Sequence, residues 1–149
     1  MLLSSVASHD MELHHIDIKT AFMNGDIEEE LYMQPPPGWG DGSRVWRLYK
    51  GVNDLKQAAR AWNAKLTDNR KKLGFVASRS DASLYISHAN GRQTYILCYV
   101  DDLLIGGKYE DVIRTKQAIK NSFKCDDMGE ANLFLGMNCL LYTSPSPRD

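Results

Sequence analysis

The chain has 149 residues, enough for one domain with its own core, and its 43% hydrophobic and 25% charged residues exclude a disordered or fibrous class. A formal net charge of −1 gives none of the bulk basic character that holds a phosphate backbone, so any such surface is local or lies in sequence beyond this chain. Cys98, Cys125 and Cys139 form no CxxC or Cys/His cluster, so free thiols in a reducing compartment are expected rather than a zinc site.

The opening MLLSSVAS lacks the basic flank and apolar run of a signal peptide, and no apolar stretch reaches membrane-spanning length. A soluble, intracellular chain is expected. Met11 to Ile18 suits a short strand, with Leu13, Ile16 and Ile18 apolar, ending in Asp17-Ile18-Lys19-Thr20-Ala21-Phe22. Asn24-Gly25-Asp26 signals a turn. Glu28-Glu29-Glu30 reads as a solvated face. Leu31-Tyr32-Met33 reads as a strand stopped by Pro35-Pro36-Pro37-Gly38. Arg44 to Lys50 alternates in a strand-like way.

Gln57 to Leu73 predicts a helix whose one face carries Ala58, Ala61, Trp62, Leu66 and Leu73, with Gly74 as its stop. The other face carries Arg60, Lys65, Arg70, Lys71 and Lys72, the most basic stretch of the chain. A solvated face explains it; a phosphate-facing surface is the alternative. Leu84 to Ser87 and Thr94 to Val100 predict two strands joined through Asn90-Gly91, a strong hairpin signal. Asp101-Asp102 follows at once, then Leu103-Leu104-Ile105 and Gly106-Gly107, giving strand, acidic tip, strand. Asp111 to Phe123 predicts a second amphipathic helix, and Leu133 to Met137 a last strand. There is no internal repeat or linker. Residues 1–141 therefore form one domain, and 142–149, polar and rich in Pro and Ser, a disordered tail resembling translated vector sequence.

Two features carry chemistry: Asp17 at a strand end, and Asp101-Asp102 at a hairpin tip between apolar strands. Crowded carboxylates repel one another unless something neutralises them. Magnesium takes oxygen ligands of this kind together with substrate phosphates. Two such ions about 3.5–4 Å apart stabilise the attacking and leaving oxygens of a phosphoryl displacement. Spacing alone is weak evidence, because adjacent aspartates commonly cap or solvate a loop.

The surrounding residues add a resemblance. His15-Ile16-Asp17-Ile18-Lys19-Thr20-Ala21-Phe22-Met23-Asn24-Gly25 resembles the first polymerase motif of copia-type reverse transcriptases, and Tyr99-Val100-Asp101-Asp102 the third. Leu55-Lys56-Gln57-Ala58 with Arg60-Ala61-Trp62 resembles the motif between them. Phe134-Leu135-Gly136-Met137 resembles the strand that holds the primer end. The order and spacing match over roughly residues 2–139.

The resemblance implies an α/β (α+β) polymerase palm: a ferredoxin-like antiparallel sheet carrying the acids, with helices on one face and part of the fingers. It implies that the domain lacks both its ends. Asp17 and Asp101 would coordinate two Mg2+ ions, for which Mn2+ could substitute. Asp102 would complete the cluster and the Ile18 carbonyl would add a ligand. Thr20 and Ala21 would meet the incoming triphosphate through backbone amides. Phe22 would exclude a ribose 2′-OH, though a core aromatic is the plainer reading. Gln57 would contact the nucleotide, and Tyr99, Leu135 and Gly136 the primer. The partners implied are an RNA or DNA template-primer, deoxynucleoside triphosphates, and the RNase H, integrase and protease domains of a polyprotein. The location implied is cytoplasmic, in a virus-like particle.

One stretch departs from the family pattern. Members read Leu-Tyr-Gly-Leu-Lys-Gln-Ala-Pro-Arg where this chain has Val52-Asn53-Asp54-Leu55-Lys56-Gln57-Ala58-Ala59-Arg60. Asp54 at a glycine position adds negative charge near the expected triphosphate. Two competing readings follow: a decayed, noncatalytic copy that at most binds nucleic acid, and a ferredoxin-like module using its sheet for RNA. The second predicts exposed aromatics on the central strands, where Ile96, Leu97, Val100 and Leu103 stand instead.

Overall fold

The computed structural model describes residues 2–53, 55–131, 133–134 and 137–138. Helix α1 (Leu2–Ser8) leads into strand β1 (Glu12–Ile18), then a 3-10 turn over Ala21–Asn24. Strands β2 (Asp26–Met33) and β3 (Trp46–Lys50) form a separate antiparallel ribbon. Helix α2 (Lys56–Lys72) is followed by β4 (Val76–Ala77), β5 (Leu84–Ala89), β6 (Arg92–Tyr99) and β7 (Asp102–Gly107). Helix α3 (Tyr109–Ser122), β8 (Cys125–Glu130) and a small ribbon of β9 (Leu133–Phe134) and β10 (Met137–Asn138) close the described chain.

The main sheet has six strands in the order β4-β5-β6-β7-β1-β8, and each pairing is antiparallel. This is the α+β arrangement expected from the sequence. Side chains alternate across a strand, so the sheet presents two faces. One face carries Ile16, Ile18, Ile96, Leu103 and Ile105 against Trp62 and Leu66 of α2 and Val112 and Ile119 of α3. Each large apolar side chain fully buried there contributes about 1.5–3 kcal/mol. Among the described residues the other face is covered at one end, where Leu2 and Val6 of α1 pack on Leu13, Leu84, Tyr95 and Leu104. The opening segment, to which the sequence pattern assigned no element, is a helix on the second face. Gly106 makes its approach possible: a Cβ there would meet Val6 Cγ2 at 2.9 Å.

Helix α2 buries Ala58, Trp62, Leu66 and Arg70, a single i, i+4 stripe. Arg70, expected on the solvated face, is 1% exposed, because its position continues the apolar stripe. Helix α3 is tied to the sheet by a polar chain. The ammonium of Lys116, itself 5% exposed, lies 2.7 Å from the Asp127 carboxylate and donates to His14 Nδ1 at 2.9 Å. An ammonium can only donate, so the His14 proton sits on Nε2, facing Glu12 Oε2 at 3.0 Å.

That chain also accounts for β8, whose sequence Cys125-Asp126-Asp127-Met128-Gly129-Glu130 shows no apolar alternation. The strand pairs with the outer edge of β1 across a bulge between His15 and Ile16. Asp127 anchors it to Lys116 and Lys120. Cys98 and Cys125 are free thiols, as expected, and Cys139 lies outside the described residues. Among the described residues no helix is long and apolar enough to cross a membrane.

Candidate active site

Strand β1 runs antiparallel to β7 in a register that sets Asp17 opposite Asp102 and His15 opposite Leu104. Directly opposed residues share a face with Cβ atoms about 4.5–5.5 Å apart. Asp17, Asp102 and His15 therefore stand on the face that α2 and α3 do not cover, at the end that α1 leaves open. Asp101 sits one residue before β7, in the two-residue turn Val100-Asp101 whose flanks Tyr99 and Asp102 are paired. The Ile18 N–H donates to the Asp101 carbonyl at 2.8 Å, which fixes this turn to the end of β1. All three predicted acids are thus brought to one corner of the sheet.

The turn is strained. Val100 has φ +54°, a region that a β-branched residue rarely enters. Positive φ at the first of two turn residues is the pattern of a type II′ hairpin, where glycine is usual. Trp62 supplies the brace: its indole N–H donates to the Val100 carbonyl at 2.7 Å. The ring is 1% exposed and packs edge-on against Phe123, with centroids 5.2 Å apart.

Two basic groups contact the acids. His15 Nε2 lies 2.6 Å from Asp102 Oδ1, so the ring N–H donates to the carboxylate and fixes one of its oxygens. Lys19 Nζ lies 2.6 Å from Asp126 Oδ2 and 3.0 Å from Asp17 Oδ2. The Asp126 carboxylate foremost, then Asp17, hold the Lys19 ammonium well above the ordinary lysine value. Asp126 is the register partner of Asp17 on β8, so Asp102, Asp17 and Asp126 form a row across three neighbouring strands. Hard oxygen donors of this kind suit a divalent cation such as magnesium. Among the described residues, however, no three His, Cys, Asp or Glu side chains converge closely enough to hold one as they stand. The Lys19 ammonium spans two of the acids instead.

The segment after β1 is shaped by close packing. Thr20 has φ +47° and precedes the 3-10 turn, so the Ala21 and Phe22 N–H groups lie in its first positions, where no intrahelical acceptor exists. Ala21 is buried and Phe22 half-buried against the helix-side core, so the core role weighed for Phe22 is seen. Gly25 and Gly51 let this turn press on α2: a Cβ on Gly25 would meet the Trp62 backbone nitrogen at 2.8 Å, and one on Gly51 would meet the Phe22 carbonyl oxygen.

The other predicted residues are more scattered. Gln57 lines a cleft of about 460 Å3 between α2 and β2 with Asp26, Glu28, Arg60 and Lys65; none of the three acids lines it. Tyr99 is 57% exposed and paired with Asp102, hence on the open face beside the acids. Asp54, Leu135 and Gly136 lie outside the described residues, as does the predicted tail over 142–149. Sequence reading did not single out His15, Trp62 or Asp126 for the site. Period-two alternation from Asp17 would have placed His15 on the same face. Asp126 had no such signal, because β8 shows no strand pattern.

Residues 1–144 match the family model described as reverse transcriptase (RNA-dependent DNA polymerase). The chain is 39% identical over 141 residues to the retrovirus-related Pol polyprotein from transposon TNT 1-94 of Nicotiana tabacum, covering 91% of this chain and 11% of that protein. It is 35% identical over 127 residues to the putative transposon Ty5-1 protein YCL074W of Saccharomyces cerevisiae, covering 83% of this chain and 41% of that protein. With the retrovirus-related Pol polyprotein from transposon RE2 of Arabidopsis thaliana the identity is 34% over 141 residues, 92% of this chain and 10% of that protein. The chain thus spans between about a tenth and two fifths of the length of these relatives. No solved structure gives a significant match. These relatives bear out the copia-type resemblance carried by the motifs around Asp17 and Asp101-Asp102. The chain belongs to the reverse transcriptase (RNA-dependent DNA polymerase) family.

Proposed function

We propose that this domain extends a primer on an RNA template by two-metal nucleotidyl transfer, within the polyprotein of a copia-type element. The observation that carries the reading is the pairing of Asp17 with Asp102 across β1 and β7, with Asp101 in the turn that Ile18 pins from below. Asp17, Asp101, Asp102 and the Ile18 carbonyl would hold two Mg2+ ions, or Mn2+ in their place. When bound, such a pair would stabilise the negative charge that develops on the primer 3′ oxygen and on the leaving pyrophosphate.

This chain's own groups then do the positioning, which supplies most of the catalysis in phosphoryl transfer. Backbone N–H groups at Thr20 and Ala21 face the triphosphate. Phe22 sets the room at the sugar 2′ position. Gln57 contacts the nucleotide, and Tyr99, with Leu135 and Gly136, the primer end. His15, donating to Asp102, keeps that carboxylate turned one way. Lys19 would release Asp17 as the metal arrives. Template-primer, deoxynucleoside triphosphates and the RNase H, integrase and protease domains are the partners, in cytoplasmic particles.

Primer extension on poly(rA)/oligo(dT) with Mg2+ tests the reading. Extension by the chain and its loss in Asp101→Asn support it. The competing reading, a noncatalytic copy, is favoured by Asp54 and Ala59 in the middle motif. A variant carrying Asp54→Gly and Ala59→Pro, joined to an upstream fingers segment from a relative, separates the two. If that variant is also inert, the polymerase reading sinks.

A further inference from the structure

On the far side of α2 from the β2–β3 ribbon, a cleft of about 320 Å3 opens between the helix and strands β5 and β6. Its walls include Asn63, Thr67, Arg70, Ser83, Cys98 and Val100. We propose that this cleft binds a phosphate group, with the Arg70 guanidinium as its anchor.

Arg70 is the reason. It is 1% exposed, yet among the described residues no carboxylate pairs with it. The titratable groups facing it are the Cys98 thiol and the Tyr85 phenol. Burial pushes the Cys98 thiol up to about 11, so at neutral pH it supplies no negative charge. The guanidinium stacks over the Tyr85 ring, 4.8 Å from its centroid, and Nη1 donates to the Leu66 carbonyl at 3.2 Å. Nε is buried and has no acceptor. A buried cation with a free N–H and no counter-ion is an unstable arrangement unless something anionic completes it. An arginine held for packing alone, by the Tyr85 ring and the Leu66 carbonyl, leaves both the charge and the Nε proton unanswered.

The chemistry of the walls selects the anion. A guanidinium offers a planar fork that matches two oxygens of a phosphate. Further donors surround it: the Asn63 amide, the Ser83 hydroxyl, and the Thr67–Tyr85 pair. That pair, with oxygens 2.9 Å apart, shares one hydrogen bond and so keeps one O–H to donate outward. A carboxylate keeps its acceptor sites in one plane, whereas a tetrahedral phosphate presents oxygens to donors on several walls at once. The volume exceeds that of a bare phosphate, so an ester on the phosphate fits too. One group opposes the site: Asp81 lies close enough to act on the Cys98 thiol. Its carboxylate is turned to the Ser83 backbone N–H at 2.8 Å.

Thermal shift and titration calorimetry on the full chain test the proposal, using inorganic phosphate against chloride at equal ionic strength. Phosphate should raise the melting temperature, and Arg70→Met should weaken binding by about tenfold or more, the loss expected of one charge-assisted contact. Ser83→Asp, which places a carboxylate in the cleft, should abolish phosphate binding in a chain that remains folded. Asp81→Asn should tighten it. Two arms separate the sources of the group. Competition by an oligothymidylate lacking terminal phosphates marks a nucleic-acid backbone phosphate; binding of inorganic phosphate without such competition marks a free one. Either result supports the site. No phosphate-specific shift in the unmodified chain, or an equal shift in Ser83→Asp, overturns it. Phosphate binding retained in Asp101→Asn keeps this result separate from the fate of the polymerase reading.

Discussion

Trp62→Phe tests whether the acidic turn is held in place from behind. The substitution removes the indole N–H that meets the Val100 carbonyl at 2.7 Å and leaves that oxygen without its donor, a loss of about 1–3 kcal/mol. It also takes one ring from a side chain that is 1% exposed, which adds roughly 1–2 kcal/mol for lost contacts and cavity. Denaturant unfolding should therefore show a total loss of about 2–5 kcal/mol. Bulk core damage alone would give part of this, so the decisive readout is local. The Ile18 amide donates to Asp101 across the turn, and its hydrogen exchange should quicken in Trp62→Phe about fivefold beyond what global unfolding explains. Phe123→Leu is the control: it loosens the same aromatic contact but leaves the Val100 carbonyl paired. Equal Ile18 exchange in the two variants would refute the brace and leave Trp62 as ordinary core.

Three further outcomes are expected. Gly51→Ala should destabilise by about 3 kcal/mol in thermal or chemical unfolding, because its Cβ would run into the Phe22 backbone oxygen and approach Ala58 Cβ at 2.8 Å, a clash with rigid partners. Asp127→Asn should cost about 2–4 kcal/mol, less than a fully buried pair because the carboxylate is 28% exposed. Desolvation raises the Asp127 pKa, but Lys116, Lys120 and the Gly129 N–H outweigh it, and the folded-state value falls well below 3.8. The unfolded chain thus binds the proton more readily, so this stabilisation is present at neutral pH and is lost as pH falls below about 4. Unfolding midpoints followed from about pH 6 to pH 2 should show a shallower acid limb in Asp127→Asn. Lys19→Met should tighten Mn2+ binding, read by electron paramagnetic resonance, by no more than about fivefold, since exposed ion pairs are weak; unchanged or weaker binding would show that Lys19 does not compete for Asp17.

Much of the frame was legible because its signals are local. The hairpin of β5 and β6 is marked by Asn90-Gly91, and Asn90 and Gly91 both adopt the positive φ that turn requires. The period of Ala58, Trp62 and Leu66 announced α2. The same period carries Arg70 into the core, although its charge alone points to the solvated face. Strand β8 was not legible, since an edge strand of this composition is made by what it meets: the free edge of β1 and two lysines of α3. Helix α1 was missed for a related reason. Its seven residues are too short to hold a helix in isolation, and only docking against Gly106 and Leu13 stabilises it.

The acids divide along the same line. Motif and strand pattern locate Asp17, Asp101 and Asp102, but nothing in the local sequence tells that Val100 turns with φ +54°; a β-branched residue after Tyr-Ile-Leu-Cys-Tyr argues for more strand. The turn takes that shape because distant groups dictate it, Trp62 from α2 and Ile18 from β1. A local rule is broken at the point where two tertiary hydrogen bonds converge and where Asp101 and Asp102 stand. Strain of about 1–3 kcal/mol persists in a fold only when its surroundings over-determine it. Relaxing the turn with Val100→Gly would remove that strain and with it part of the aim. A variant equal or higher in stability but slower in primer extension is the result this account requires.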